Sequence, residues 1–460
     1  MPQYFFRKMI LLVMVFSIPL TGCSSPTSVL MPTPSMIPTE TMSPTKGSEV
    51  ASIIPTQKPT PSVEPKVFYG FTYHRPDGNR LVSGRGDLPG IQPMDIPLAG
   101  EPAWVVSAPS RDRSIWVVAL GDGRLQAFQV FDGAYEVLEI EPENLPPGKP
   151  PLLKVVDGIP SVVQIPGVDA SPYSHAVPLR TDSEQVAFID ENGDVVISKG
   201  IEEEYLVVNA LPDARLLLDE TGRLLLLTNP TGRYDHGVLG DAIEAESITL
   251  IDTNPEPHVS LKIDIPPPAV IEGVVPIWAD ITGDGQREII VTLTSPGVGA
   301  QIAVLNENGE RIASGPPIGQ GYRWRNQLAV APTAPDAGLE FVDVLTPHIG
   351  GVVEFYQLSG SELQVLAQFP GYTSHVIGSR NLDMALAGDF DGDQKVEVLL
   401  PDQSRTELGA VRRTADGAEL AWTLPVGGMV STNLAAVSFP DGRMAVGVGR
   451  NDGVLRVWVP

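Results

Sequence analysis

The chain has 460 residues, with 31 Lys and Arg against 56 Asp and Glu, a formal net charge of −25. Affinity for nucleic acid comes mainly from cationic side chains that displace counterions from phosphates, so this excess of carboxylates argues against a DNA or RNA partner. A hydrophobic share of 42% excludes global disorder; 45 Gly and 45 Pro suit many turns and short strands rather than long helices, and a single cysteine leaves no intramolecular disulfide or CxxC metal site.

In chain order, Arg7 and Lys8 precede an almost wholly apolar run, Met9 to Leu20. It is shorter than the roughly 20 residues that span a bilayer and has the form of a secretory signal. The run ends at Leu20-Thr21-Gly22-Cys23, which resembles the bacterial lipobox. That resemblance implies a signal peptide over 1–22, cleavage before Cys23 and lipidation of its thiol, hence a membrane-anchored protein exposed outside the cytoplasm in a bacterial cell envelope. Two or more acyl chains anchor stably where one does so only marginally. From Cys23 to residue 66 the sequence is rich in Pro, Ser and Thr and shows no hydrophobic period, which reads as an extended tether.

From Val67 onward the composition is globular, and internal repeats organise it. ADITGDGQREIIVTL (279–293) and GDFDGDQKVEVLLP (388–401) share one pattern: an acid, an oxygen side chain two later, an acid two further, and a Glu four beyond, followed by a β-branched run. A degenerate copy precedes FVDVL at Glu340. Marking the residue before each such run gives Ser114, Ser161, Arg223, Glu288, Glu340, Glu397 and Arg443, at spacings of 46 to 65 residues. Seven copies of about four short strands predict an all-β fold, a seven-bladed β-propeller over 67–460, with a two-sheet sandwich array as the alternative. Asn192-Gly193, Asn308-Gly309, Asp416-Gly417 and Asp452-Gly453 are expected as hairpin turns. The last copy is one strand short, and the stretch 91–98 is expected to supply the missing strand and cover the open edge.

The segments DITGDGQRE and DFDGDQKVE resemble the calcium loops of FG-GAP repeats, found in integrin α-subunit propellers and in bacterial VCBS-type proteins. The resemblance implies a calcium-stabilised propeller that binds rather than catalyses. Calcium takes six or more oxygens, and a tight loop offers them from alternate positions. The first loop would use Asp280, Thr282, Asp284, the carbonyl of Gln286 and Glu288; the second Asp389, Asp391, Asp393, the carbonyl of Lys395 and Glu397. A plain Asp-Gly turn is the alternative. The copy at Glu340 has Pro332 and Ala334 in the first two ligand positions and is expected to hold no metal.

Two longer stretches, Pro166–Gln185 and Asn229–Glu246, read as loop insertions on the face opposite the calcium loops. With the blade links they carry His175, His236, His348, His375, Tyr173, Tyr234, Tyr322, Arg323, Trp324, Arg325, Tyr372 and Arg380. Aromatic and Arg side chains on one face suggest recognition of a protein or glycan ligand, with His236, His348, His375, Trp324, Arg325 and Arg380 as contacts and Trp324 as an exposed anchor. Packing between blades is the alternative. Asn326, Asn381 and Asn433 precede inner strands and are expected around a central channel. No GxSxG, HExxH, Walker or post-strand GxGxxG pattern occurs, and Arg85-Gly86-Asp87 reads as a chance tripeptide. An extracytoplasmic carbohydrate-active enzyme or an envelope assembly scaffold are the other readings.

Overall fold

The computed structural model describes residues 66–165, 170–180 and 185–460; the stretches expected to be a signal peptide and, with Cys23, nearly all of a tether lie outside them. The described chain is all-β. Its strands form antiparallel meanders, and the sole helical element among the described residues is the short 3-10 turn Leu88–Gly90.

The first meander runs Pro102–Ser110, Arg113–Leu120, Leu125–Phe131, Ala134–Leu138. The next sheet has three strands, Val67–Gly70 beside Leu153–Val156 beside Ile159–Val162. Then come Val177–Pro178 to Glu202–Leu206, followed by a thirteen-stranded sheet that itself contains three meanders, starting at Leu217–Leu218, Ile277–Ala279 and Arg325–Ala331. The last two sheets start at Leu386–Asp389 and Val430–Ser438.

The strands arise from residue type. Many first and second strands are buried on both faces: Arg325–Ala331 and Met444–Arg450 have no exposed residue, and MAVGVG of the latter reads as an unbroken apolar run. Outermost strands alternate instead, as in Glu362–Pro370, where Leu363 and Ala367 turn inward among exposed neighbours. The four expected Asn-Gly and Asp-Gly turns all connect paired strands, and each glycine has positive φ, +82° at Gly193 and +84° at Gly309 for example.

Three expectations need correcting. The count of meanders among the described residues is eight, not seven, because five sheets stand apart and the large one holds three. The eighth was hidden in the stretch read as an insertion: Val177–Pro178 pairs with Val186–Ile189. Its first strand is only two residues long, too short to show a period. Likewise Ser161 does not precede a second strand; it lies within Ile159–Val162, and the first strand of that sheet comes from Val67–Gly70, far away in sequence.

The third correction concerns the centre. Residues 71–80 run among the first strands, and Thr72, Tyr73, Asp77, Asn79 and Arg80 are all buried. The Tyr73 hydroxyl donates to the carbonyl of Leu216, Asn79 Nδ2 to that of Val330, Arg80 Nη1 to that of Gln327, and the Trp278 N–H donates to the carbonyl of Asp77. Arg80 and Arg215 both bind Asp383, at 2.8 and 2.7 Å. The region expected to be an Asn-lined channel is therefore filled by the chain itself. Asn433 is part of the packing: its Oδ1 accepts from Val105 N–H at 2.9 Å, and its Nδ2 donates to the carbonyls of Val105 and Thr72. Asn326 donates to Ser374 Oγ, and Asn381 accepts from Asp383 N–H. The segment then adds Leu81–Arg85 in parallel to Leu386–Asp389, and Met94–Pro97 antiparallel to Val454–Trp458. This last pairing is the strand expected from 91–98.

Candidate functional site

The second acid loop connects Leu386–Asp389 to Glu397–Pro401. Its shape is set by the carboxylates accepting local backbone N–H groups. Asp391 Oδ1 accepts from Asp393, Asp393 Oδ1 from Lys395, Asp389 Oδ2 from Gln394, and Glu397 Oε2 from Phe390, all at 2.9–3.2 Å. These bonds turn the remaining oxygens toward one another. Ligand oxygens of Asp389, Asp391 and Glu397 lie within 4.8 Å, the one such group of three among the described residues. Glu397 is fully buried, and its Oε1, like Asp389 Oδ1, has no hydrogen-bond partner. Burial opposes ionisation: with Asp391 and Asp393 adding repulsion, it pushes Glu397 up to about 8 despite the bond from Phe390 N–H. The orphaned oxygens and the all-oxygen donor set fit a hard divalent cation.

Cationic and indole groups that the sequence pattern does not reveal surround this loop. Arg412 Nη1 lies 2.7 Å from Asp393 Oδ2, Lys395 Nζ 3.4 Å from the same carboxylate, and Arg85 Nε 3.5 Å from Asp389 Oδ2. Trp422 Nε1 donates to Asp391 Oδ2 at 3.1 Å. Arg412 sits directly across from Glu397 in the strand register, a relation visible only once the hairpin pairing is known. Arg85-Gly86-Asp87 is packed against this loop: Gly86 N–H donates to the Asp389 carbonyl, and a Cβ at Gly86 would run into the carbonyl oxygen of Phe390.

The first loop connects Ile277–Ala279 to Glu288–Ser295 and is closed differently. Asp280 Oδ1 accepts from Gly283 and Asp284, and Asp280 Oδ2 from Gly285. Glu288 Oε2 accepts from Ile281 and Thr282, and Asp284 Oδ1 from Gln286. Here the oxygens that in the second loop remain free have partners, backbone N–H groups at Asp280 and the Thr282 hydroxyl at Glu288 Oε1, and burial raises Glu288. In the degenerate copy Glu340 accepts from Thr333 Oγ1 at 2.7 Å and meets Arg413 Nε at 3.3 Å, so a guanidinium balances the charge.

The proposed recognition residues divide. His236 Nδ1 pairs with Glu272, and its ring stands 5.2 Å from that of Tyr322, which is 60% exposed. His348 Nε2 and His375 Nδ1 are 2.6 Å apart, and His375 Nε2 meets the Ser379 carbonyl. Burial lowers His348 to about 4, with a further contribution from nearby His236, and lowers His375 to about 3, so both rings are neutral at physiological pH. Trp324 is not the exposed anchor expected of it. It is 3% exposed, packs on the rings of His348 and His375, and donates its indole N–H to the Glu272 carbonyl. Position decides this: Trp324 immediately precedes Arg325–Ala331, a strand with no exposed residue, and is buried with it, whereas Tyr322 lies further out in the link. Arg325 is also buried, bound to Asp343, Glu354 and the Tyr356 hydroxyl. Arg380 binds Asp213 and Asp241 and lies over the ring of Tyr173. His175 is buried against Thr72, Tyr73 and Trp104.

No protein-family model and no curated protein matches the chain. Among solved structures it is similar to a chain of the crystal structure of the mitotic checkpoint complex, at 12% identity and a TM-score of 0.40 over 80% of this chain and 96% of that one. It is similar also to BamB from Moraxella catarrhalis, at 13% identity and a TM-score of 0.37 over 82% and 96%.

Proposed function

We propose that the chain is a lipid-anchored, extracytoplasmic β-propeller of FG-GAP/VCBS type that binds calcium and presents a face to a protein or glycan. The consecutive meanders, most of them four-stranded, support the propeller. So does the contact of Val430–Ser438 with Pro102–Ser110, through Asn433 to Val105 and the hydroxyl of Ser107 to the carbonyl of Ala436, which brings the last meander against the first. With the meander count corrected, the ring has eight blades. Recognition falls to the groups that remain accessible around Tyr322, His236 and Tyr173; Trp324, His375 and Arg325 support that face from beneath.

The observation that carries the calcium reading is the convergence of Asp389, Asp391 and Glu397 with two buried oxygens left unbonded. The residues that would hold the ion are these three with Asp393 and the Lys395 carbonyl, and the ion would cross-link the first two strands of that meander. An ion that binds only the folded state adds RT ln(1 + [L]/Kd), about 2.7 kcal/mol at a hundredfold excess. Millimolar calcium should therefore raise the melting temperature over that in chelator, and Asp391→Asn should remove most of the difference. Equal melts with calcium and with chelator would refute the reading.

A further inference from the structure

We infer that Arg412 is a resident counter-cation of the second acid loop, occupying part of the ion's place and competing with it. The inference rests on the calcium reading of that loop and concerns how tightly the loop binds. Glu397 opens the second strand, Arg412 lies opposite it in the third, and Glu419 lies opposite Arg412 in the fourth. The guanidinium is thereby set between two sources of negative charge. Its Nη1 is 2.7 Å from Asp393 Oδ2 and 3.9 Å from both Asp391 Oδ2 and Glu397 Oε1, while Nη2 donates to Glu419 Oε1 at 2.9 Å.

The fit is incomplete in an informative way. Within the loop, Arg412 reaches hydrogen-bonding distance of Asp393 alone, so Glu397 Oε1 and Asp389 Oδ1 stay unbonded in a buried setting. A planar guanidinium donates along fixed directions and cannot gather oxygens from all sides as a spherical ion does. Glu419, half exposed, offers the side chain a second partner once an ion displaces Nη1 from the loop. The degenerate copy also balances its Glu with a guanidinium: the first two acids are replaced by Pro332 and Ala334, Asp336 remains, and Arg413 of the next meander meets Glu340. The first loop has no counterpart, because Arg287 turns away to Asp77, Glu220 and the Trp278 carbonyl. Arg85 and Lys395 also approach the second loop, but each side chain is about 60% exposed and more strongly screened by water.

Arg412→Gln should have two effects of opposite sign. Without calcium the loop loses its internal cation and the protein melts lower. With calcium the ion meets no competitor and binds tighter, roughly tenfold, for loss of a unit charge at these distances. Calcium chloride titrations by calorimetry on the full chain, for wild type, Arg412→Gln and Arg412→Lys, with melts in chelator, test this. Tighter binding by Arg412→Gln with a lower melt in chelator is the expected result, as is binding by Arg412→Gln where wild type takes up none. Arg412→Lys keeps the charge, so it should fold and bind no tighter than wild type. Unchanged or weaker binding by Arg412→Gln, or Arg412→Lys binding as tightly as a tightened Arg412→Gln, would overturn the role of Arg412 while leaving the calcium site intact. No uptake by any of the three would overturn both.

Discussion

Glu244 is 2% exposed, and its Oε2 has no hydrogen-bond partner. Burial first, then repulsion from Glu272, Asp213 and Asp241, pushes its carboxyl up to about 10, so the folded protein holds it protonated at neutral pH. An unfolded Glu titrates near 4.3, so between roughly pH 4 and 10 the folded state binds the extra proton, and stability from this group falls as pH rises. Glu244→Gln keeps the shape and removes the titration. It should have little effect near pH 4 and stabilise increasingly above it, by at most about 1.4 kcal/mol per pH unit. Urea melts of both proteins at pH 5 and pH 8 read this directly; a constant difference between them would show that Glu244 ionises normally. The pattern of acids in the two loops was legible because position and residue type sufficed to reveal it. Arg412, Arg85 and Glu244 were not, since their roles depend on strand register and on burial imposed by distant segments.

At the scale of elements, the segment 66–98 is the unexpected feature. Val67–Gly70, Leu81–Arg85 and Met94–Pro97 give one strand each to three sheets, and the residues between them bury Tyr73 and Arg80 among the first strands of others. A chain beginning at Ala99 should therefore lose the cooperative melt expected of one beginning at Lys66, because three sheet edges are exposed and Asp383 loses its partner Arg80. Matching melts would mean that the segment is dispensable. The sequence revealed only the last of these strands, through the shortfall in the final meander. The periodic marks found the meanders whose second strand is long, such as Arg113–Leu120 and Glu288–Ser295, and missed Val186–Ile189, a second strand of only four residues.

For the whole molecule, the proposed address depends on Cys23, and the folded body on the residues from Lys66 to the C-terminus. The two are separable by experiment: Cys23→Ala should leave the melt of the folded part unchanged and move the protein out of the lipid-modified membrane fraction or leave it unprocessed. A processed, lipid-modified variant would refute the anchor. The segment next to the tether carries a further consequence, for the order of folding. Asp95 meets Arg456 361 residues later in the chain, and Arg80 binds Asp383 at a separation of 303. Closing such loops costs entropy before any contact rewards it, and contacts of long sequence separation fold slowly. A strand made early thus waits longest for its partner. Val67–Gly70 can pair with Leu153–Val156 early, but Met94–Pro97 stays unpaired until Val454–Trp458 has been made, so the last step of folding is a docking of that early strand onto the chain's end.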